Sequence, residues 1–174
     1  MKKVITLAAI LLMAVTPSAG QNINADKSLV DFKIRNMRMR DVTGTFKGMA
    51  GTVKFNPDNL QASDFDVCIT PATVNTDNKK RDEHLQGGDF FDVSKHPGIC
   101  FRSSQVSKAG NGYTARGKLT MLGVTKEVEM PFTFENNTFK GTLNLKRLDY
   151  KVGEKTGTFM VGDDVEIHIT CVLN

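Results

Sequence analysis

YTARGKLTMLGVTKEVEMPFTF, Tyr113 to Phe134, decides how the rest of the chain reads. Tyr113, Ala115, Gly117, Leu119 and Met121 alternate with Thr114, Arg116, Lys118 and Thr120. After a tight turn near Leu122-Gly123, Val128, Met130, Phe132 and Phe134 alternate with Glu127, Glu129, Thr133 and Glu135. A period of two places apolar side chains on one face of a strand and charged ones on the other, so this stretch predicts two antiparallel strands, each buried on one side.

The same alternation spreads in both directions. Upstream, Val30, Phe32 and Ile34 alternate with Asp31, Lys33 and Arg35, Val53 and Phe55 with Thr52 and Lys54, and Phe65, Val67 and Ile69 with Asp66, Cys68 and Thr70. The glycines of GTFKGMAG suggest a bulge or bend before Val53, and NPDN, Asn56 to Asn59, is a turn signal. Ile99 and Phe101 open a strand that breaks at KAGNG. Downstream, Asn136-Asn137 reads as a two-residue hairpin turn. Phe139, Gly141, Leu143 and Leu145 point inward after it, and Val165, Ile167, Ile169, Cys171 and Leu173 form a final inward series.

About eight such strands hide every apolar face at once when the sheet closes on itself. The expected fold is therefore all-β, an eight-stranded antiparallel barrel with a short helical insertion between strands 3 and 4; a two-sheet sandwich is the alternative. Charges are too frequent on the outer face for it to meet lipid, so an outer-membrane barrel is excluded. The inward residues expected to line the interior are Phe32, Ile34, Phe46 and Phe55, then Val67, Ile69, Phe101 and Leu119, and finally Phe132, Phe134, Leu143 and Ile167. Small inward residues at Ala115, Gly117 and Gly141 leave room for a cavity, whereas the phenylalanines could fill the space; both readings stay open.

RDEHLQGGDFFD, Arg81 to Asp92, interrupts the alternation. A helix capped by Thr76 or Asp77 and ending at Gly87-Gly88 would place Arg81 and His84 on one side. Arg81 and Asp82 are read chiefly as a tether to neighbouring loops, with a headgroup contact by Arg81, Asp82 and His84 as the alternative. Leu85, Phe90 and Phe91 would seal the barrel end. His84, His96 and His168 lack metal-ligand spacing, and no motif promises a catalytic base with its partners, so neither a metal nor a catalytic residue is assigned. An enzyme with Asp82 and His84 as acid–base groups is the runner-up reading.

The first twenty residues carry Lys2 and Lys3, an apolar run from Val4 to Val15, and small residues Ser18, Ala19 and Gly20. That layout is a cleaved secretory signal, residues 1–20, with the cut expected after Gly20 or Ala19. Residues 21–174 then form one domain in the periplasm or outside the cell. The apolar run is too short to span a membrane. Removing Lys2 and Lys3 lowers the formal charge of +4 by two, which with interspersed signs argues against nucleic acid. The densest basic stretch, with Lys33, Arg35, Arg38 and Arg40, reads as a solvated strand face and loop rather than an anion site. Cys68 and Cys100 share the outward face of consecutive strands and are the pair expected to form a disulfide, while Cys171 belongs to the inward series.

Three stretches together resemble the YceI-like family of exported lipid-binding proteins: TDNKKRDEHLQGGDFFDVSKHPGICFRSSQV (Thr76 to Val106), GKLTMLGVTKEVEMPFTF (Gly117 to Phe134) and RLDYKVGEKTGTFMVGDDVEIHI (Arg147 to Ile167). The resemblance implies a lipocalin-like barrel holding a long isoprenoid or quinone-like lipid, with no cofactor beyond that ligand, and it is compatible with a homodimer. The family's helix-borne Arg, Asp and His fall on Arg81, Asp82 and His84, and its paired aromatics on Phe90 and Phe91. The chain departs from the family at Lys27-Ser28 and Arg35-Asn36, where many relatives carry histidines. It departs again at Lys151, where glycine is usual.

Overall fold

The computed structural model describes residues 20–36 and 40–174. Except for Gly20, the expected signal segment lies outside the described residues, and so does Arg38. Eight strands run in chain order: β1 (Leu29–Asn36), β2 (Arg40–Lys54), β3 (Asp64–Asn75), β4 (Ile99–Ala109), β5 (Gly112–Met121), β6 (Val124–Glu135), β7 (Thr138–Lys146) and β8 (Val161–Val172). One helix, α1 (Lys79–Gln86), lies between β3 and β4, and 3-10 turns occupy Leu60–Ala62 and Arg147–Tyr150. Every strand pairs antiparallel with the next, and β1 also pairs with β8, so the sheet is a closed barrel rather than a sandwich.

Turn chemistry fixes the register. Asn136 and Asn137 have φ of 50° and 56°, and Leu122 and Gly123 have φ of 51° and 74°, the left-handed pairs that match the twist of two-residue hairpins. In the NPDN turn the Asn56 side chain accepts from the Asp58 and Asn59 amides. Ser28, fully buried, accepts from the Val172 amide at 2.9 Å and joins the start of β1 to the end of β8.

β2 is 15 residues long, and its first half escapes a simple count of alternation. Its pairing with β3 shifts register between Thr45 and Lys47 and again between Lys47 and Ala50. Phe46 and Met49 are therefore both buried although three positions apart. Gly48 and Gly51 have φ of 70° and 133°, and a Cβ on Gly51 would lie 2.1 Å from the Asp66 carbonyl oxygen. Only glycine lets the bulged strand come this close. Gly117 is small for the same kind of reason and does not make room for a cavity. A Cβ there would lie 2.2 Å from the Arg102 carbonyl oxygen, where β4 bulges across it.

Lys151 follows the 3-10 turn with φ 61°, in the left-handed region, and its amide donates to the Leu148 carbonyl. A Cβ-bearing residue there is strained by roughly 1–2 kcal/mol, part of which glycine would return through its freer unfolded chain. Lys151→Gly is expected to raise stability by about 0.5–1 kcal/mol, read as a higher urea midpoint. A lower midpoint would show that the lysine side chain contributes more than its backbone costs.

Candidate functional site

The barrel encloses a cavity of about 540 Å³, within the range of small-molecule sites. Its wall is the inward face read from the alternation: Phe32, Ile34, Phe46, Val67, Ile69, Phe101, Leu119, Phe132, Leu143 and Ile167 all line it, with Phe90 and Phe91 from the segment after α1. Phe55 and Phe134 do not. They stand behind the wall, Phe55 against Phe65, Tyr113, Phe132, Phe134 and Phe139 with ring centroids 5.0–6.2 Å apart. These rings fill the end of the barrel where β2, β6 and β8 finish, so inward parity alone could not separate lining from filling. Ala115 and Gly141 do line the cavity, and they supply the space that the phenylalanines leave.

The opposite end, where β1, β3, β5 and β7 finish, carries the polar groups. α1 is only eight residues long, too short to persist alone. Its cap is Asn78, whose side chain accepts from the Arg81 amide at 3.1 Å, rather than Thr76 or Asp77. Asp77 instead has φ 59°, and Thr76 is buried as an anchor. The Asp82 carboxylate accepts from both the amide and the hydroxyl of Thr76. Arg81 donates from Nε to the Thr76 hydroxyl and from Nη2 to the Thr76 carbonyl, each at 2.7 Å. Gln86 donates to the Ala72 carbonyl, fixing the last turn of the helix to β3.

These bonds make Arg81 and Asp82 tethers, but they divide the three helix residues. Arg81 and His84 line the cavity, and Asp82 does not. Arg81 has no carboxylate within ion-pair distance among the described residues, and its Nη1 has no hydrogen-bond partner there. His84 is exposed at the rim and meets the Phe90 ring edge-on at 5.1 Å. Phe91 packs edge-on against Phe46 at 5.3 Å, and Phe90 packs over Gly153, where a Cβ would lie 2.6 Å from its ring. The basic stretch contributes little here: Lys33 is exposed and paired with Asp41 at 2.8 Å.

A second charged residue, Arg147, lines the cavity. Arg147 is 3 % exposed and gives its donors to five backbone carbonyls: Gly162 from Nε, Val152 and Gly153 from Nη1, Thr156 and Val161 from Nη2, all at 2.7–2.9 Å. Burial pulls its pKa below the ordinary guanidinium value, partly offset by the charge of Asp163. It holds residues 152–161 as the rim facing α1. Lys155 and Asp89 pair at 3.1 Å across that rim. Met160, 44 % exposed, belongs both to the cavity wall and to the outer surface. The signal for Arg147 was its parity, since it continues the inward series Phe139, Gly141, Leu143, Leu145.

Cys68 and Cys100 are cross-strand partners and are joined as a disulfide. Cys171 is buried on the cavity wall, and burial pushes its thiol up to about 11 against the opposing effect of a hydrogen bond with Ser28. It stays protonated and unreactive at neutral pH. His96 sits by the β5–β6 turn and His168 pairs with Glu166 on the outer face. Among the described residues no group of three or more His, Cys, Asp or Glu could hold a metal, and no helix is long and apolar enough to cross a membrane.

A family model for the YceI-like domain matches residues 21–173. A UPF0312 protein from Yersinia pestis is 31 % identical over 170 residues, covering 87 % of this chain and 88 % of its own. The crystal structure of Burkholderia cenocepacia BcnA superposes with a TM-score of 0.79 at 31 % identity, over 86 % of this chain and 98 % of BcnA. A polyisoprenoid binding domain from Saccharophagus degradans, implicated in plant cell wall breakdown, shares the fold at a TM-score of 0.67 and 13 % identity, over 87 % and 96 % of the two chains.

Proposed function

Because the chain belongs to the YceI-like domain family, we propose that it is a non-enzymatic binding protein that holds a long-chain isoprenoid, polyprenyl or quinone-like, in the barrel cavity. The observation that carries the reading is the cavity itself: about 540 Å³ walled mostly by aliphatic and aromatic side chains, with the polar side chains of Arg81, His84, Arg147 and Thr156 at one end. A cavity of this size holds many methylene-sized groups of an apolar chain. At ~0.8 kcal/mol each, their burial exceeds what micromolar binding requires even after the cost of ordering a flexible chain. The Saccharophagus domain of the same fold adds support for an isoprenoid as the ligand class.

Arg81 and His84 suit a polar headgroup at the rim, while the tail lies among the rings. An exported setting is supported by the leader-like residues 1–20 and by the Cys68–Cys100 bond, which persists in oxidising compartments. The acid–base pairing of Asp82 with His84 lacks support: the Asp82 carboxylate is engaged by Thr76, and no hydrogen bond joins it to His84 among the described residues.

Incubating delipidated, refolded protein with a prenol and with a quinone bearing a prenyl tail, then extracting and analysing the lipid, tests the proposal. Saturable uptake at micromolar concentration, with the lipid recovered chemically unchanged, is expected. A modified lipid would favour the enzyme, and lack of uptake would sink the binding reading.

A further inference from the structure

The cavity ends on rings. Phe65, Phe132 and Phe139 face it with centroids 5.6–5.8 Å apart. Behind them stands a second layer: Phe55 lies 5.7 Å from Phe132 and 5.3 Å from Phe139, and Tyr113 stacks on Phe132 at 5.3 Å. Rings interlocked in two layers cannot withdraw singly, because a core packed this closely has no void to receive them. Phe132 and Gly141 are cross-strand partners at this floor. One fills the base of the cavity with a ring, and the other lines it without a side chain.

We infer that this aromatic floor is a chain-length ruler, with Phe132 and Gly141 as the residues that set its reading. The inference rests on the proposal that the cavity holds a prenyl chain. Each isoprene unit that fits adds buried apolar surface and affinity. Once the tail meets the floor, further units remain at the rim in water and add little. Affinity should therefore climb with chain length and then flatten. The flattening point is set by the position of the floor. A phenyl ring has about the bulk of one isoprene unit, so Phe132→Ala deepens the cavity by about one unit. Gly141→Val shortens it: a side chain there meets the flexible Met130 thioether, 3.3 Å from the Cβ position, and the Pro131 carbonyl oxygen at 3.6 Å.

The test uses the full delipidated chain and displacement of a bound apolar dye by all-trans prenols lengthened one unit at a time from the five-carbon prenol. Phe132→Ala is expected to move the flattening point one unit longer, with about tenfold tighter binding of that prenol than wild type shows, and Gly141→Val to move it shorter. If Phe132→Ala fails to fold, Gly141→Val decides alone. Prenols that bind with the same flattening point in every variant would overturn the ruler while leaving the binding proposal standing. No prenol binding by the wild type would overturn both.

Discussion

Arg147→Met should lower the stability of the barrel by about 3–5 kcal/mol, the range seen when a buried charged group is cut away from the partners built around it. Methionine keeps much of the apolar stem, so the loss comes from the guanidinium. Its removal leaves the carbonyls of Val152, Gly153, Thr156, Val161 and Gly162 without their donor. An unpaired buried acceptor costs about 1–3 kcal/mol, and the total stays below five times that because water can reach a loop at the rim once it loosens. Lysine has the charge but not the planar fork and cannot reach carbonyls on five residues, so Arg147→Lys should recover less than half of the loss. Urea denaturation checks both variants. For a domain of this size the methionine variant should also melt about 10 °C lower. Lipid uptake should fall with it, because Val152, Thr156, Met160 and Val161 are cavity wall held by this one side chain. A methionine variant as stable as wild type would mean that residues 152–161 hold their course without the arginine.

Opening the Cys68–Cys100 bond should cost about 3 kcal/mol. The bridge closes a sequence separation of 32, for which the chain-entropy relation gives between 3 and 4 kcal/mol, less any strain relieved. The bond also lies where pairing is short: β3 and β4 meet only over Asp66–Ile69 against Ile99–Arg102. The neighbouring Arg102–Asp66 ion pair is exposed and adds little. Replacing both cysteines with alanine, and separately adding reductant to the wild type, should lower the urea midpoint equally. Reductant should not shift the midpoint of the double variant, since Cys171 is buried and unpaired. Equal midpoints in oxidised and reduced wild type would show that the ladder holds itself.

The parts of the fold that alternate could be read directly, because a closed barrel demands one wet and one dry face from every strand. Arg116, Lys118, Glu127 and Glu129 on one side of Ala115, Leu119 and Met130 state the orientation of β5 and β6 without ambiguity. Legibility failed where one residue steps out of period. The double register shift in β2 brings Phe46 and Met49 to the same side, and no count with period two can join them. Helix capping was misplaced for a different reason: Thr76 has capping chemistry, but burial gives it to Arg81 and Asp82, and Asn78 takes the cap. Parity also says which side of the wall a residue occupies and not how far along the axis. Phe132 and Phe134 are two residues apart on one face, yet only the first reaches the cavity. Arg147 was visible as an inward position and overlooked because it is charged; its five acceptors come from a loop that has no periodicity to read.

The content of the cavity is the most direct test. Protein purified from its native compartment, extracted with organic solvent and analysed by lipid mass spectrometry, should yield one class of isoprenoid lipid, near one chain per barrel, and native mass spectrometry should show the matching mass added to the folded protein. A reproducibly empty barrel that also takes up no prenyl lipid after delipidation and refolding would contradict the binding function.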